Sequence, residues 1–417
     1  MTGKVSSALF AHAAFRIFWY GRILGNVATF MQGVTIAWLV YASARRTLDE
    51  AESMYLVGLL GLAQFLPMFL LALVAGAVAD RHERRRILMG CTLAQLACAV
   101  GFTLVSAQAE PSIPVIFLLA VLFGAARAFE MPARMALTPA LVPREILPTA
   151  IAWNTFGVQG GIILGPWLGG VLCAISPTLA CSTALGLYLL SLAAMVRLLT
   201  LAIDAQPVHG DVPRLVMIRE GLVHLWGSRV VLGAISLDLF AVLLGGVTAL
   251  LPAYARDILE IGPEGLGLLR TMVGVGGGGM TLWLAWHPIR RHVGFWMLGG
   301  VAAYGLATLW FACSREMWVS MAALICIGAT DSVSVFVRQN LVQILTPDPM
   351  RGRVSAVSGL FISASNELGE FESGMAARYL GVVGSALFGG VGALVVTGLW
   401  ARLFPALRKV DRLLPAA

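Results

Sequence analysis

The chain has 417 residues, 59% of them hydrophobic and only 12% charged, with a mean hydropathy of +0.85. A soluble globular protein is nearer half apolar and about one quarter charged, so this chain cannot cover its surface with polar groups and lipid must be part of its solvent. The net charge of +7 comes from basic residues scattered between apolar runs, which excludes the concentrated patch of a nucleic-acid-binding domain.

Apolar runs recur from end to end, each of roughly 20 residues and long enough to cross a ~30 Å hydrocarbon core as a helix. The alternating pattern of an outer-membrane barrel is absent. The expectation is an all-α membrane protein with twelve transmembrane helices, over 17–42, 54–79, 87–108, 112–133, 148–174, 178–202, 231–255, 265–286, 293–312, 317–342, 354–378 and 382–404. Ahead of them, Lys4 and a short apolar run cut by Arg16 do not make a cleaved signal peptide. The first span is expected to serve as its own insertion signal.

The longest polar interruption, 203–229, lies near the middle of the chain. It divides an N-terminal six-helix half (1–202) from a C-terminal one (230–417). Arginines gather after even-numbered spans (Arg81, Arg84, Arg85 and Arg86; Arg134 and Arg144; Arg214, Arg219 and Arg229; Arg290 and Arg291; Arg351 and Arg353), with more in the tail. Loops after odd-numbered spans hold few. The positive-inside rule then places the even loops and both termini in the cytoplasm. The halves also echo each other: "LTPALVPRE" follows span four and "LTPDPMRGR" follows span ten. Two pseudo-symmetric six-helix bundles point to a transporter whose solute binds near the midplane, between them.

The six cysteines all lie in apolar segments and form no CxxC or Cys/His cluster. Packing is their expected role; no disulfide framework, metal site or cofactor is expected. "GVGGGG" (Gly274–Gly279) contains GxGxxG but follows no strand and sits in an apolar span, so it reads as close packing or a hinge rather than a dinucleotide fingerprint. No Walker lysine occurs, and no enzyme activity is expected. The energy source is expected to be an ion gradient.

Two motifs carry a family resemblance. Gly76-x-x-x-Asp80-Arg81-x-x-Arg84-Arg85, between spans two and three, resembles the loop signature of the major facilitator superfamily. In that family the acid at the end of span two meets the start of span eleven, where the helix dipole favours an anion. The resemblance therefore implies a latch that holds the halves together in the outward-facing state. Glu83 stands where the family usually has glycine, and the second-half copy, "AWHPIRRHVG", lacks the aspartate. In span five, Gly161-x-x-x-Gly165-Pro166-x-x-Gly169-Gly170 resembles the superfamily's antiporter motif. Small residues one turn apart let helices approach closely, and the proline removes a helix hydrogen bond and permits a bend. "ADRHERRR" and "TPALVPRE" look most like the branch that holds the enterobactin exporters and macrolide efflux pumps.

Ionisable residues inside spans are costly and functional by default. Glu367 and Glu370 lie on one face of span eleven, Asp331 in span ten and Glu130 in span four. All six histidines fall in loops or near span ends, so these carboxylates are the proton-coupling candidates, Glu367 foremost by depth. Arg22, Arg127, Asp238, Arg270, Arg338 and Asn366 are candidates to line the solute cavity, the arginines binding an anionic or oxygen-rich solute by charge-assisted hydrogen bonds. The bland alternative makes Arg127 with Glu130, and Asp331 with Arg338, structural ion pairs. Trp38, Trp153, Phe156, Phe240 and Phe361 supply apolar walls or interfacial anchors.

The function expected is a monomeric, proton-coupled exporter of a small secreted molecule across the bacterial inner membrane, with a siderophore as the leading solute. A multidrug or macrolide efflux pump is the second reading. A membrane sensor or scaffold that no longer transports is the third, and the two motifs argue against it.

Overall fold

The structure is a computed structural model that describes residues 9–201 and 214–412, apart from a few side chains inside helices. Spans one to six are the helices Ala13–Ala44, Glu50–Arg81, Arg84–Ser106, Ile113–Leu137, Leu147–Ile175 and Pro177–Leu199. Spans four, five and six each carry proline in the first helical turn, where its missing N–H would have no partner in any case. Pro67, Pro132 and Pro166 sit inside spans two, four and five. Large side chains such as Leu104, Leu118, Trp286 and Trp318 are well exposed, as expected of surfaces solvated by lipid.

A helix, Arg214–Gly227, occupies the described part of the expected linker; residues 202–213 lie outside the description. Glu220 on this helix pairs with Arg353 at the start of span eleven, and Gly221 backs onto the Arg353 carbonyl. Span seven is not one helix. It runs as Arg229–Leu244, breaks at Gly245 and Gly246, and resumes through a 3-10 turn, Val247–Leu250, into a π-helical turn, Tyr254–Ile258. Spans eight, nine and ten are Gly262–Trp286, Val293–Cys313 and Met317–Leu345.

Spans eleven and twelve form a continuous run, Asp348–Leu403, bent at Gly381 (φ 73°, ψ 167°). That conformation belongs to the region that only glycine enters at little cost, so one residue turns the corner between two spans. At the end of the chain, Leu407 packs its carbonyl against Gly294, and the Val293 and Gly294 amides donate to Asp411 and Val410. The tail is thereby stitched to the start of span nine. The lone bridge between Arg291 and Arg412 is the only β pairing among the described residues.

The chain divides into two compact units: residues 1–43 with 63–211, and 44–62 with 212–417. The first stretch of span two thus packs within the second unit, where Gly58 meets the backbone of Gly374 in span eleven. Each unit carries the same kind of backbone contact. In the first, Gly124 of span four abuts the Gln64 carbonyl of span two; in the second, Gly328 of span ten abuts the Val273 carbonyl of span eight. The glycine run of span eight belongs to this seam: Gly276 lies on the Ile325 carbonyl. It is packing inside an unbroken helix.

Candidate transport site

In the first unit, span five lays its glycines on span one. A Cβ on Gly161 would meet that of Asn26 at 2.8 Å; on Gly165, the Val27 carbonyl at 2.9 Å; on Gly169, the Met31 carbonyl at 2.8 Å. Gly161, Gly165, Pro166, Gly169 and Gly170 are all buried. Trp19 Nε1 donates to the Trp153 carbonyl at 2.9 Å near one end of this contact. Here small residues one turn apart allow backbone-to-backbone approach.

The loop between spans two and three is organised by the residue that departs from the family pattern. Glu83 precedes the first turn of span three and accepts from Arg85 and Arg86. Arg85 also donates to the carbonyls of Leu198 (3.3 Å) and Leu201 (2.8 Å) at the end of span six, where the helix dipole favours a cation. Gly76 is buried and Arg81 exposed; the side chain of Asp80 lies outside the description.

Glu130 pairs with Arg134 one turn on and accepts from Gln95 of span three at 2.7 Å. Arg134 therefore lies within span four rather than in the loop beyond it, as the arginine pattern had placed it. Arg22 and Arg127 stand close enough to Arg134 for their charges to repel it. Arg22 makes no hydrogen bond or ion pair among the described residues, and its Nε is buried. One turn along the same face, Asn26 is 7% exposed and its Nδ2 has no partner.

In the second unit Arg338 does pair, but with Asp238 of span seven, not along its own helix with Asp331. Both are buried, and Ser334 donates to Asp238 Oδ1 at 2.8 Å. The reason is geometric: residues seven apart on a helix are separated by two turns, roughly 10 Å, whereas a neighbouring helix brings a carboxylate within hydrogen-bond reach. Asp331 is half-buried and makes no hydrogen bond or ion pair among the described residues, although it feels the charges of Asp238 and Arg338. Tyr304 of span nine donates to the Gly245 carbonyl at 2.5 Å, satisfying a backbone group freed by the break in span seven.

That break positions a second cluster. Gly246 abuts Gly369 of span eleven. The next residue, Glu370, accepts from Arg270 of span eight at 3.3 Å and from Thr248 of span seven at 3.4 Å. Thr248 lies in the 3-10 turn, Val247–Leu250, with which span seven resumes. Across from it, Gly61 leaves room where a Cβ would lie 3.4 Å from Glu370 Oε2. Glu367 is half-buried one turn earlier and also engaged; Asn366 is exposed. The adjacent pair Gly245-Gly246 was the sequence signal for this cluster. A glycine pair amid an apolar run followed by Pro252 marks an interrupted span, and interrupted spans mark solute and ion sites. No group of three or more metal-ligating side chains occurs among the described residues.

Over residues 5–415 the chain matches the family described as transmembrane secretion effector. It is 29% identical to the enterobactin exporter EntS of Salmonella typhi over 400 residues, covering 93% of this chain and 88% of that one. It is 28% identical to the protein of the same name from Escherichia coli O127:H6, with the same coverage. Among solved structures it resembles a D-xylose–proton symporter (TM-score 0.72, 15% identity, 96% of this chain and 99% of that one). It also resembles a bacterial homologue of ferroportin (TM-score 0.69, 18% identity, 93% and 98%). These two likenesses establish the twelve-helix fold. The chain is a multi-pass membrane protein and belongs to the transmembrane secretion effector family of the major facilitator superfamily, a superfamily of transporters.

Proposed function

We propose that this protein exports a siderophore across the bacterial inner membrane by alternating access, driven by protons moving the opposite way, with both termini in the cytoplasm. The observation that carries the reading is likeness along 93% of the chain to exporters named for enterobactin. The glycine packing of span five on span one supports the antiporter reading, because helices in backbone contact can bend as a pair about Pro166. Export also needs groups that load and release protons. Asp331, Glu367 and Glu370 of the second unit offer three carboxylates, and Glu130 a fourth in the first.

Deleting the gene in its host and growing the cells without iron tests the cargo. The expected result is a siderophore retained in the cells and depleted from the medium, restored by the gene on a plasmid. Unchanged secretion together with new sensitivity to macrolides would instead make the protein a drug efflux pump.

A further inference from the structure

We infer that the first unit holds a binding subsite for an anionic oxygen ligand, built on Arg22 and Asn26 of span one beside Arg134 of span four. This rests on the export reading and narrows its cargo to solutes that carry a carboxylate or catecholate. Arg22 of span one lies close enough to Arg134 of span four for their charges to repel, and the one acid of these two spans, Glu130, is taken by Arg134 and Gln95, which leaves Arg22 as surplus positive charge. A guanidinium keeps its proton, so this surplus cannot neutralise itself. Charge held inside a membrane protein needs a partner, and Arg22 has no hydrogen bond or ion pair among the described residues. Its neighbour on the same face, Asn26, is 7% exposed with Nδ2 unpaired, a second donor without an acceptor. Unpaired buried donors are rare in native structures. Two of them one turn apart, beside Arg134, describe a cradle for oxygens that the protein itself does not supply.

The other arginines considered for the cavity differ. Arg270 is matched by Glu370 and Arg338 by Asp238, so neither has charge to offer without breaking an existing pair. The subsite is therefore placed on span one.

The test is direct binding to the full protein in phosphatidylcholine nanodiscs, independent of any knowledge of the natural cargo. Two probes are used: 2,3-dihydroxybenzoate, which carries a carboxylate, and catechol, its uncharged counterpart. The expected result is that the acid binds and catechol binds at least tenfold more weakly. Arg22→Gln weakens the acid roughly tenfold or more, the loss of one charge-assisted contact. Arg22→Lys retains most of the affinity, and Arg16→Gln, which removes an exposed charge from the same helix, leaves it unchanged. The melting temperature of ligand-free Arg22→Gln separates binding from folding. An arginine held for a ligand is a burden to the empty protein, so its removal leaves the temperature unchanged or raises it. A lowered temperature with unchanged affinity would make Arg22 structural and overturn the subsite, as would equal binding of acid and catechol. Repeating the titration with phosphatidylglycerol in the disc separates solute from lipid. Unchanged affinity supports a solute ligand; abolished binding would give the cradle to a lipid headgroup. If the acid binds as expected while the host secretes its siderophore normally without the gene, the subsite stands and the siderophore assignment falls.

Discussion

The two units share a packing plan but treat buried charge in opposite ways. Gly124 on Gln64 and Gly328 on Val273 are the same backbone contact made twice, half a chain length apart, so the skeleton has kept its duplication. The charges have not. Spans one and four hold four arginines (Arg16, Arg22, Arg127 and Arg134) and one acid, Glu130. In the second unit Asp238, Asp331, Glu367, Glu370 and Glu372 outnumber Arg270 and Arg338. These surpluses differ in kind as well as sign. Surplus carboxylates can be neutralised by taking up protons, whereas surplus guanidiniums cannot lose theirs. On the proposed reading, the second unit exchanges protons and the first waits for an anion, a division of labour suited to an antiporter.

Several substitutions would break or sharpen that contrast. The largest effect is expected where the units agree. Gly124→Leu and Gly328→Leu drive a side chain into a facing backbone carbonyl, and backbone cannot step aside as a side chain does. Neither variant should yield monodisperse protein on size-exclusion chromatography, whereas an asymmetric result would show that the shared contact carries weight in one unit only. Next comes the buried pair. Asp238→Ala strands the Arg338 guanidinium and should cost about 3–5 kcal/mol. Adding Arg338→Met should recover much of that loss in a thermal unfolding series.

A functional contrast follows. Glu367→Gln in proteoliposomes is expected to keep substrate exchange but to lose uptake driven by a pH gradient, since exchange needs no net proton movement. Asp331→Asn showing that pattern alone would move the proton site to span ten. A smaller effect is expected at Glu370: its pair with Arg270 is partly exposed, so Arg270→Gln should cost only about 1 kcal/mol of stability. The smallest belongs to Gly160, which has open space where a Cβ would go. Gly160→Ala should leave the melting temperature unchanged or slightly higher, by helix propensity, while its neighbour Gly161→Ala lowers it by crowding Asn26.

The spans were legible in the sequence because lipid imposes length and apolarity on each one independently. Their packing was legible wherever it depended on a local pattern, as in the glycine spacing of span five. Partners across helices were not. Nothing local to Arg338 points to Asp238 rather than Asp331, and nothing near Glu370 announces Arg270, because helix adjacency is decided by the whole bundle. Span length misled once: Arg134 reads as a loop cation, yet the helix continues past it to Leu137. The break in span seven was visible in Gly245-Gly246, but apolar runs on both sides concealed it from a reading based on hydropathy.

The bend at Gly381 has a mechanical consequence. Most neighbouring spans are joined by several residues, and such a joint absorbs a shift of one helix before the next one feels it. Spans eleven and twelve have a single residue of slack. A tilt of span eleven, which carries Glu367 and Glu370, must therefore appear at once as a tilt of span twelve and, through the tail stitched to span nine, as a pull on the opposite end of the unit. Those three helices are thus joined by short connections, so a motion beside the carboxylates is expected to be felt at the tail, about one span length or roughly 30 Å away.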